Sequence, residues 1–234
     1  MEKLRAQLEK YGINDIEVKL DRYARYRAAI LEANDSVNLT RITDPDEFEE
    51  RHFVESLSPC ASAEFAAAEK VVDVGTGAGF PGVPMAIAFP EKEFVLLDSL
   101  AKRMDIVAGI CEEIGIENVM CVHARAEDAA REDDLREAFD FCVSRAVADL
   151  SVLSEYCLPF VKTGGYFVPF KGKGYKEELS AAGKAITALG GEVVKTEADA
   201  LQNDDGVCIY ILKKENTPDK YPRPAGKPSK KPIK

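Results

Sequence analysis

A glycine-rich turn is the strongest chemical signal in this sequence. Residues 73–82 read DVGTGAGFPG and begin within the short apolar run at 71–75. Glycines in such a turn allow left-handed backbone conformations and bring amide N–H groups close to a ligand. The spacing Gly77-x-Gly79-x-x-Gly82 satisfies the dinucleotide-binding fingerprint, so one interpretation is a nicotinamide cofactor site.

The same turn supports a second interpretation. The phrase Asp73-x-Gly75-x-Gly77-x-Gly79 is typical of the first motif of S-adenosylmethionine-dependent methyltransferases. In that motif the acid lies inside the strand end, and the turn holds the methionine part of the cofactor. An acidic residue ahead of the glycines favours this interpretation, and a turn that binds nothing is the third possibility.

Asp98 ends the next apolar run, residues 94–98. A carboxylate at a strand end can accept hydrogen bonds from two ribose hydroxyls, which both cofactor classes possess. The alternative is a helix N-cap for residues 101–114, a role that Ser99 could also fill.

A short acidic phrase follows the third apolar run. Residues 125–128 read RAED and come directly after residues 119–123. In the methyltransferase interpretation this loop faces adenine: the backbone at Ala126 meets a ring nitrogen and the Glu127 carboxylate lies near the exocyclic amine. The alternative is an acidic helix N-terminus.

Basic residues follow the fourth and fifth apolar runs. Arg145 ends residues 139–145, where many amino-methylating enzymes carry an Asn-Pro-Pro-Tyr type of phrase that this chain lacks. A cation at that strand end is costly to bury unless it is used. It therefore meets either the cofactor or a carboxylate in a structural ion pair. Lys171 and Lys173 could meet phosphate or remain solvated.

These candidate residues each lie at the end of a predicted strand or just after it, and helices are predicted between the strands. Strands are predicted at 71–75, 94–98, 119–123, 139–145, 164–172, 191–198 and 206–214, and helices at 83–89, 101–114 and 150–160. Strands that alternate with helices predict a mostly parallel sheet, and the last two strands are close enough in sequence to form an antiparallel pair. Ligands of such sheets bind at the carboxyl ends of the strands.

The ends of the chain differ from this middle part. Apolar residues at helical spacing predict helices in the first 70 residues, including one that begins at Pro45 with Asp44 as N-cap. The domain boundaries are therefore drawn as a helical extension at 1–69, a core at 70–214 and a tail at 215–234. The tail holds five prolines and is expected to be extended or mobile.

Charge is unevenly distributed along the 234 residues. The net charge is −10, yet residues 213–234 carry eight Lys or Arg and two acids, a net +6 that leaves −16 for the rest. The tail is therefore expected to contact phosphates if the ligand is a nucleic acid.

The N-terminus has no signal-like apolar region, and no apolar stretch is long enough for a membrane span. Six dispersed cysteines and two histidines predict no metal site and a cytoplasmic location.

Phrases along nearly the whole chain resemble one family, the ribosomal RNA small subunit methyltransferase G family, also called glucose-inhibited division protein B. They are Asn38-Leu39-Thr40, Arg51-His52-Phe53, Ser56-Leu57, residues 73–82, Leu96-Leu97-Asp98-Ser99-Leu100, Arg125-Ala126-Glu127, Ser144-Arg145-Ala146, Lys171-Gly172, Tyr221-Pro222-Arg223 and residues 226–232. Two departures are Glu55, where the family often has Asp, and Pro224, where a second arginine is common.

The resemblance implies a Rossmann-like methyltransferase fold of the S-adenosylmethionine-dependent type. Its seven-stranded sheet is mostly parallel with an antiparallel last strand, and a small helical extension precedes it. The resemblance also implies methylation of N7 of guanine 527, in the 530 loop of 16S rRNA. The family's cofactor contacts fall on Gly75, Phe80, Ala126, Glu127 and Arg145, which join Gly77 and Asp98 from the residue arguments above.

The expected partner is 16S rRNA or a small-subunit ribosomal particle, and the expected state is a monomer. Guanine N7 carries no proton, so no residue is assigned as a general base. The rival interpretations are an NAD(P)-dependent oxidoreductase and a non-catalytic module that senses the cofactor.

Overall fold

The computed structural model describes residues 1–201 and 206–233. The strands are β1 (Lys70–Val74), β2 (Glu93–Asp98), β3 (Val119–His123), β4 (Phe139–Arg145), β5 (Val161–Lys171), β6 (Gly191–Ala198) and β7 (Val207–Lys213). The α-helices are α1 (Glu2–Lys10), α2 (Ile16–Asn34), α3 (Pro45–Phe48), α4 (Ala63–Ala66), α5 (Gly82–Ala88), α6 (Ala101–Ile114), α7 (Ala126–Ala129), α8 (Leu150–Cys157), α9 (Tyr175–Ala188) and α10 (Lys227–Lys230). A π-helical turn at Glu49–Val54 and 3₁₀ turns at Glu55–Ala61 and Leu158–Phe160 complete the helical parts.

All seven strands form one sheet in the order β3-β2-β1-β4-β5-β7-β6. Strands β1 to β5 pair in parallel, whereas β7 is antiparallel to both β5 and β6. The predicted mostly parallel sheet with an antiparallel last strand is therefore confirmed. The strand order reverses between β1 and β4, so the switch point at which ligands bind lies at the carboxyl ends of these two strands.

Alternation along the strands gives the sheet two apolar faces. Val71 and Leu96 belong to one buried cluster, and Val72 and Leu97 belong to the other. This period of two places successive side chains on opposite faces. Both faces are covered by helices, as the near-continuous apolar runs of the central strands require.

The N-terminal helices share a core with the first face. Helix α2 buries Tyr23, Tyr26 and Ile30 at helical spacing, in one cluster with α5, α6 and the sheet. The Tyr23 hydroxyl donates to the Pro84 carbonyl at 2.6 Å. The predicted start of the third helix is confirmed, because the Asp44 side chain accepts hydrogen bonds from the amides of residues 46 and 47.

The second face is covered by helices α7, α8 and α9. Helix α9 was not among the predicted elements, although Ala182, Ala185 and Ile186 give it a buried stripe. This helix was hard to predict because alanines bury little apolar area and therefore give only a weak helical pattern in the sequence. The predicted helix at 150–160 is an α-helix that ends at Cys157 and continues as a 3₁₀ turn.

The expectation that the tail is extended or mobile is wrong. Residues 217–233 fold back over the second face, where Tyr221 and Ile233 pack on the apolar cluster and α10 forms a short helix. The reason is specific pairing, since Arg223 meets the fully buried Glu155 carboxylate at 2.6 Å. Arg223 of the tail, like the buried Lys213 at the end of β7, is therefore committed to the protein's own carboxylates.

No helix within residues 1–201 and 206–233 is long and apolar enough to cross a membrane.

One contact between α2 and the glycine-rich turn gives a test of this packing. A Cβ at Gly79 would overlap the Tyr26 hydroxyl, and the residue has a φ of +82°. We expect Gly79→Ala to lower the free energy of unfolding by about 2–3 kcal/mol through overpacking and backbone strain. In urea denaturation, Tyr26→Phe should recover part of that loss in the double variant, because it removes the overlapped atom. Gly109→Ala is the control: Gly109 lies on the exposed side of helix α6, where a Cβ would meet nothing within 4 Å, so this substitution should stabilise the protein by up to about 1 kcal/mol. Equal costs for the two glycine substitutions would contradict this packing.

Candidate functional site

A cavity of about 320 Å³ opens at the carboxyl ends of β1, β2 and β3. Its size suits a small organic ligand. The lining residues come from the ends of β1 and β2, from the segments that follow β1 to β4, and from helices α6, α7 and α8: Val74, Gly75, Leu97, Asp98, Ser99, Leu100, Arg103, Ala124, Arg125, Ala126, Glu127, Ala146, Val147 and Tyr156. The cavity thus lies where the strand order predicts a ligand.

The turn after β1 is held by the Asp73 carboxylate, which is fully buried. Its Oδ2 accepts a hydrogen bond from the Thr76 hydroxyl at 2.7 Å and another from the Gly82 amide at 2.8 Å. One oxygen therefore ties the middle of the turn to the start of helix α5. Burial raises the pKa of Asp73 to about 6, against these two hydrogen bonds. Within the described residues, Asp73 Oδ1 has no hydrogen-bond partner.

The four positions of the turn require glycine for different physical reasons. A Cβ would overlap Val147 at Gly75, Tyr26 at Gly79 and Leu96 at Gly82. These three positions are glycine because other parts of the protein approach them closely. At Gly77 a Cβ would meet nothing within 4 Å, and only its φ of +61° requires glycine. Gly77 thus faces open space, but of the turn's glycines it is Gly75 that is among the residues lining the cavity.

Asp98 is placed as a ribose-binding carboxylate should be. It lines the cavity at the end of β2 and is 7% exposed. Its Oδ2 accepts from the Gly77 amide at 3.0 Å and its Oδ1 from the Leu100 amide at 2.9 Å. The side chain does not cap α6, so the N-cap alternative is not what the structure shows. Each carboxylate oxygen can accept a second hydrogen bond, which leaves capacity for two hydroxyls.

Two exposed apolar side chains at this cavity were missed by sequence reasoning. Leu100 is 49% exposed and Val147 is 40% exposed, and both line the cavity. Exposed apolar surface inside a cavity favours a flat apolar ligand group such as a purine ring. Their signal was weak, because a single apolar residue in a loop is common. Together with Asp98, they fit an adenosine group.

The loop after β3 starts the short helix α7. Ala126 and Glu127 both line the cavity, and Glu127 is buried at 2% exposure. Its Oε1 accepts from the Gly226 amide at 2.8 Å and lies 3.4 Å from Arg125 Nη2. The carboxylate is thus at the cavity wall and is tied to the C-terminal tail.

The Phe80 side chain packs on the side of the glycine-rich turn that faces the N-terminal helices, and it is not among the residues that line the cavity. Its ring stacks on His52, with centroids 4.2 Å apart, and meets Tyr26, Phe48 and Phe53 edge to face. Burial and the nearby Arg145 lower the pKa of His52 to about 3, so the ring is neutral near pH 7. The structure therefore gives Phe80 a packing role in the N-terminal core, and its cofactor contact stays a prediction.

Arg145 faces a second cavity, which adjoins the first at Ala146. Its guanidinium donates to the Arg51 carbonyl at 2.6 Å and pairs with Glu55 at 3.2 Å. The structure thus shows the ion pair that the sequence left open as the alternative. Ala146 has a φ of +59°, a strained conformation of the kind found at functional sites.

The second cavity has a volume of about 390 Å³ and a basic lining. Four basic residues and two acids surround it: Arg51, Arg145, Lys171, Lys173, Glu55 and Glu178. Lys171 is paired with Glu178 at 2.7 Å, whereas Lys173 is exposed. Among the described residues, no group of three His, Cys, Asp or Glu side chains is placed to hold a metal ion.

Comparisons with known proteins agree with this geometry. The model of a family described as "GidB: rRNA small subunit methyltransferase G" matches residues 19–204. The ribosomal RNA small subunit methyltransferase G of Alkaliphilus oremlandii is 48% identical over 95% of this chain and 94% of its own length. That of Alkaliphilus metalliredigens is 44% identical, with 97% and 95% covered.

Solved structures share the fold at lower identity. An O-methyltransferase from Bacillus cereus, solved in complex with SAH, has a TM-score of 0.55 and is 17% identical, with 80% of this chain and 90% of that chain covered. The Methanococcus jannaschii fibrillarin pre-rRNA processing protein has a TM-score of 0.52 and 18% identity, with 68% and 76% covered. At these identities the likeness concerns the fold alone.

The buried Asp73 predicts a pH dependence of stability. Its pKa in the folded protein is above the unfolded value of 3.8, so ionisation progressively destabilises the fold as the pH rises from about 4 to about 6. Asp73→Asn does not titrate. The unfolding free energy of this variant minus that of the wild type should therefore rise by about 3 kcal/mol over that window and stay constant above it. Urea denaturation at a series of pH values measures the difference.

Asp140→Asn is the matched control with the opposite sign. Partial burial acts to raise the pKa of Asp140, but the Lys162 ion pair and two backbone amides lower it overall. The variant-minus-wild-type difference should fall as the pH rises towards about 4 and then stay level. A flat difference for Asp73→Asn between pH 4 and 6 would contradict the buried, ionising carboxylate.

Proposed function

This chain belongs to the rRNA small subunit methyltransferase G family, and we propose that it transfers a methyl group from S-adenosylmethionine to N7 of guanine 527 in 16S rRNA. The observation that carries the proposal is the pair of adjoining cavities. One has the carboxylate and apolar walls that suit an adenosine group, and the other has the basic lining that suits a nucleotide. We further propose that the chain acts as a monomer in the cytoplasm, on 16S rRNA or a small-subunit particle.

The first cavity would hold the cofactor, which supplies the methyl group as a sulfonium. Asp98 would accept the ribose hydroxyls, and Gly75 and Gly77 would line the methionine side. At the adenine end the Ala126 backbone and the Glu127 carboxylate would meet the ring. Support comes from the positions of these residues around one cavity or on its glycine turn.

Phe80 and Arg145 would act where the two cavities meet. Phe80 supports the turn from below through its stack on His52. Arg145 lines the second cavity beside Ala146, the residue that both cavities share. We therefore assign these two residues to the methionine end of the cofactor, next to the acceptor nucleotide.

The second cavity would receive the acceptor guanine. Four basic residues against two acids make it locally positive in a chain of net charge −10. Exposed Lys173 and Arg51 suit the flanking phosphates, since phosphate contacts supply much of the affinity for RNA. The Glu55 carboxylate in the same cavity would favour the positive charge that develops on the purine.

The chemistry requires no base from the protein. Guanine N7 has a free lone pair and no proton, so the protein's task is to align N7 with the methyl group in a desolvated site. This agrees with the titratable groups near the cavities: His52 has a pKa of about 3, and Asp73 is buried beneath the turn.

Transfer of labelled methyl groups to rRNA tests the proposed function. The protein is incubated with methyl-labelled S-adenosylmethionine and with 16S rRNA, or small subunits, from a strain that lacks the modification. The methylated nucleotide is then mapped. Label at N7 of guanine 527 is expected. Binding of NAD with no binding of S-adenosylmethionine would support an oxidoreductase instead, and cofactor binding without transfer would support a sensing module.

Lys173→Ala should weaken RNA binding without affecting the cofactor. The loss of one phosphate contact should reduce the slope of log affinity against log salt by roughly 0.7. Affinity for an rRNA fragment is measured at several salt concentrations, and S-adenosylhomocysteine affinity by calorimetry. Lys184→Ala, an exposed lysine on α9 away from both cavities, is the control and should change neither. An unchanged salt slope for Lys173→Ala would remove this residue from the RNA contact.

The rate of the chemical step should be nearly independent of pH. In single turnovers with saturating RNA, we expect less than about a threefold change between roughly pH 6.5 and 8.5, since no proton leaves N7. A slope of about one log unit per pH unit, abolished by His52→Ala or Glu55→Gln, would instead show that a titrating base takes part.

A further inference from the structure

A buried ion pair fixes the C-terminal tail to helix α8. Glu155 is fully buried, and its two carboxylate oxygens accept hydrogen bonds from the Arg223 backbone amide, Nε and Nη2 at 2.6 to 3.1 Å. A buried carboxylate needs such a partner because an unpaired one is strongly destabilising. The pair is therefore a fixed attachment point for the tail.

Other contacts hold the backbone of the tail on either side. Arg136 donates to the carbonyls of Thr217 and Tyr221 at 2.8 and 3.0 Å. Arg131 donates to the Pro222 carbonyl. Backbone carbonyls paired with guanidinium groups fix the path of the chain independently of the tail's own side chains.

Beyond this attachment the tail reaches the wall of the cofactor cavity. The Gly226 amide donates to Glu127 Oε1 at 2.8 Å, the shorter of the two hydrogen bonds that this buried carboxylate oxygen accepts. The Ser229 side chain lies beside Tyr156 of α8, which also lines the cavity. One segment of the tail thus contacts two wall residues, from α7 and α8.

We propose that residues 221–233 form a strap that positions Glu127 and Tyr156 for cofactor binding, with Arg223 as its positioning residue. The inference rests on the proposed function, since it takes the first cavity as the cofactor site. Without the Gly226 amide, Glu127 loses its better hydrogen bond and is free to turn away from the ligand. Coupling is reciprocal, so bound cofactor should in turn hold the strap in place.

Two strap variants separate positioning from folding. A chain that ends at Ala225 keeps the Arg223–Glu155 pair but lacks the Gly226 and Ser229 contacts. The double variant Arg223→Ala with Glu155→Gln removes the attachment without leaving a buried charge alone. Lys230→Ala, an exposed lysine on the strap, is the matched control.

Calorimetry with S-adenosylhomocysteine gives the first readout. Both strap variants should bind roughly tenfold more weakly than the wild type, as expected for a lost hydrogen bond to a charged group, and Lys230→Ala should bind normally. The truncated chain also loses the packing of Ile233 on the apolar cluster, so its urea midpoint without ligand should be lower, but its unfolding should remain one cooperative transition. Equal affinities for the wild type and both strap variants would overturn the strap.

Limited trypsin digestion of the wild type gives the second readout. If the tail had only a structural role, bound ligand would not change its rate of cleavage. Saturating S-adenosylhomocysteine should slow cleavage after Lys230 relative to cleavage after exposed Lys10 in helix α1. Unchanged relative cleavage would count against the strap. If the wild type binds no S-adenosylhomocysteine at all, the proposed function itself fails, an outcome distinct from normal binding by every variant.

Discussion

The buried Asp73 carboxylate is the constraint on which the site depends. A single oxygen, Oδ2, accepts hydrogen bonds from the Thr76 hydroxyl and the Gly82 amide, and so it fixes the turn of seven residues between β1 and α5. The fixed turn presents the Gly77 amide to Asp98, the carboxylate that lines the cavity. Burial of the Asp73 carboxylate raises its pKa and is unfavourable, but its hydrogen bonds preform the loop. Such a loop needs little ordering when a ligand binds, which favours affinity.

Packing around this turn joins the N-terminal helices to the site. The Tyr26 hydroxyl donates to the Ala78 carbonyl at 2.7 Å, in the space that Gly79 leaves open. Phe80 continues the contact by stacking on His52. The Nδ1 atom of His52 lies 3.5 Å from Arg145 Nη2. The helices of the first 69 residues are therefore part of the support of both cavities. On the opposite face the C-terminal segment supports the wall of the first cavity through Glu127 in a similar manner.

Local features of the site were predictable from the sequence, and long-range pairs were not. The glycine turn, the strand-end position of Asp98 and the Asp44 N-cap follow from residue types within a few positions of each other. The Arg223–Glu155 pair joins residues 68 positions apart, and no spacing rule marks it. Composition alone described the tail as proline-rich and charged, which is typical of a mobile segment. The sequence singled out the glycines of the turn, but three of them serve close contacts within the protein, and only the tertiary neighbours show this.

A structure of the full chain bound to S-adenosylhomocysteine tests the central claim most directly, that a preformed cavity between the β1 turn and Asp98 holds the cofactor. The account predicts that both ribose hydroxyls lie within hydrogen-bonding distance of Asp98, about 2.5–3.2 Å, with adenine between Leu100 and Val147 and the turn unmoved. The Asp73 contacts to Thr76 and Gly82 should remain as they are. A nucleoside bound elsewhere, or a turn that rearranges and releases Gly82 from Asp73, would contradict it.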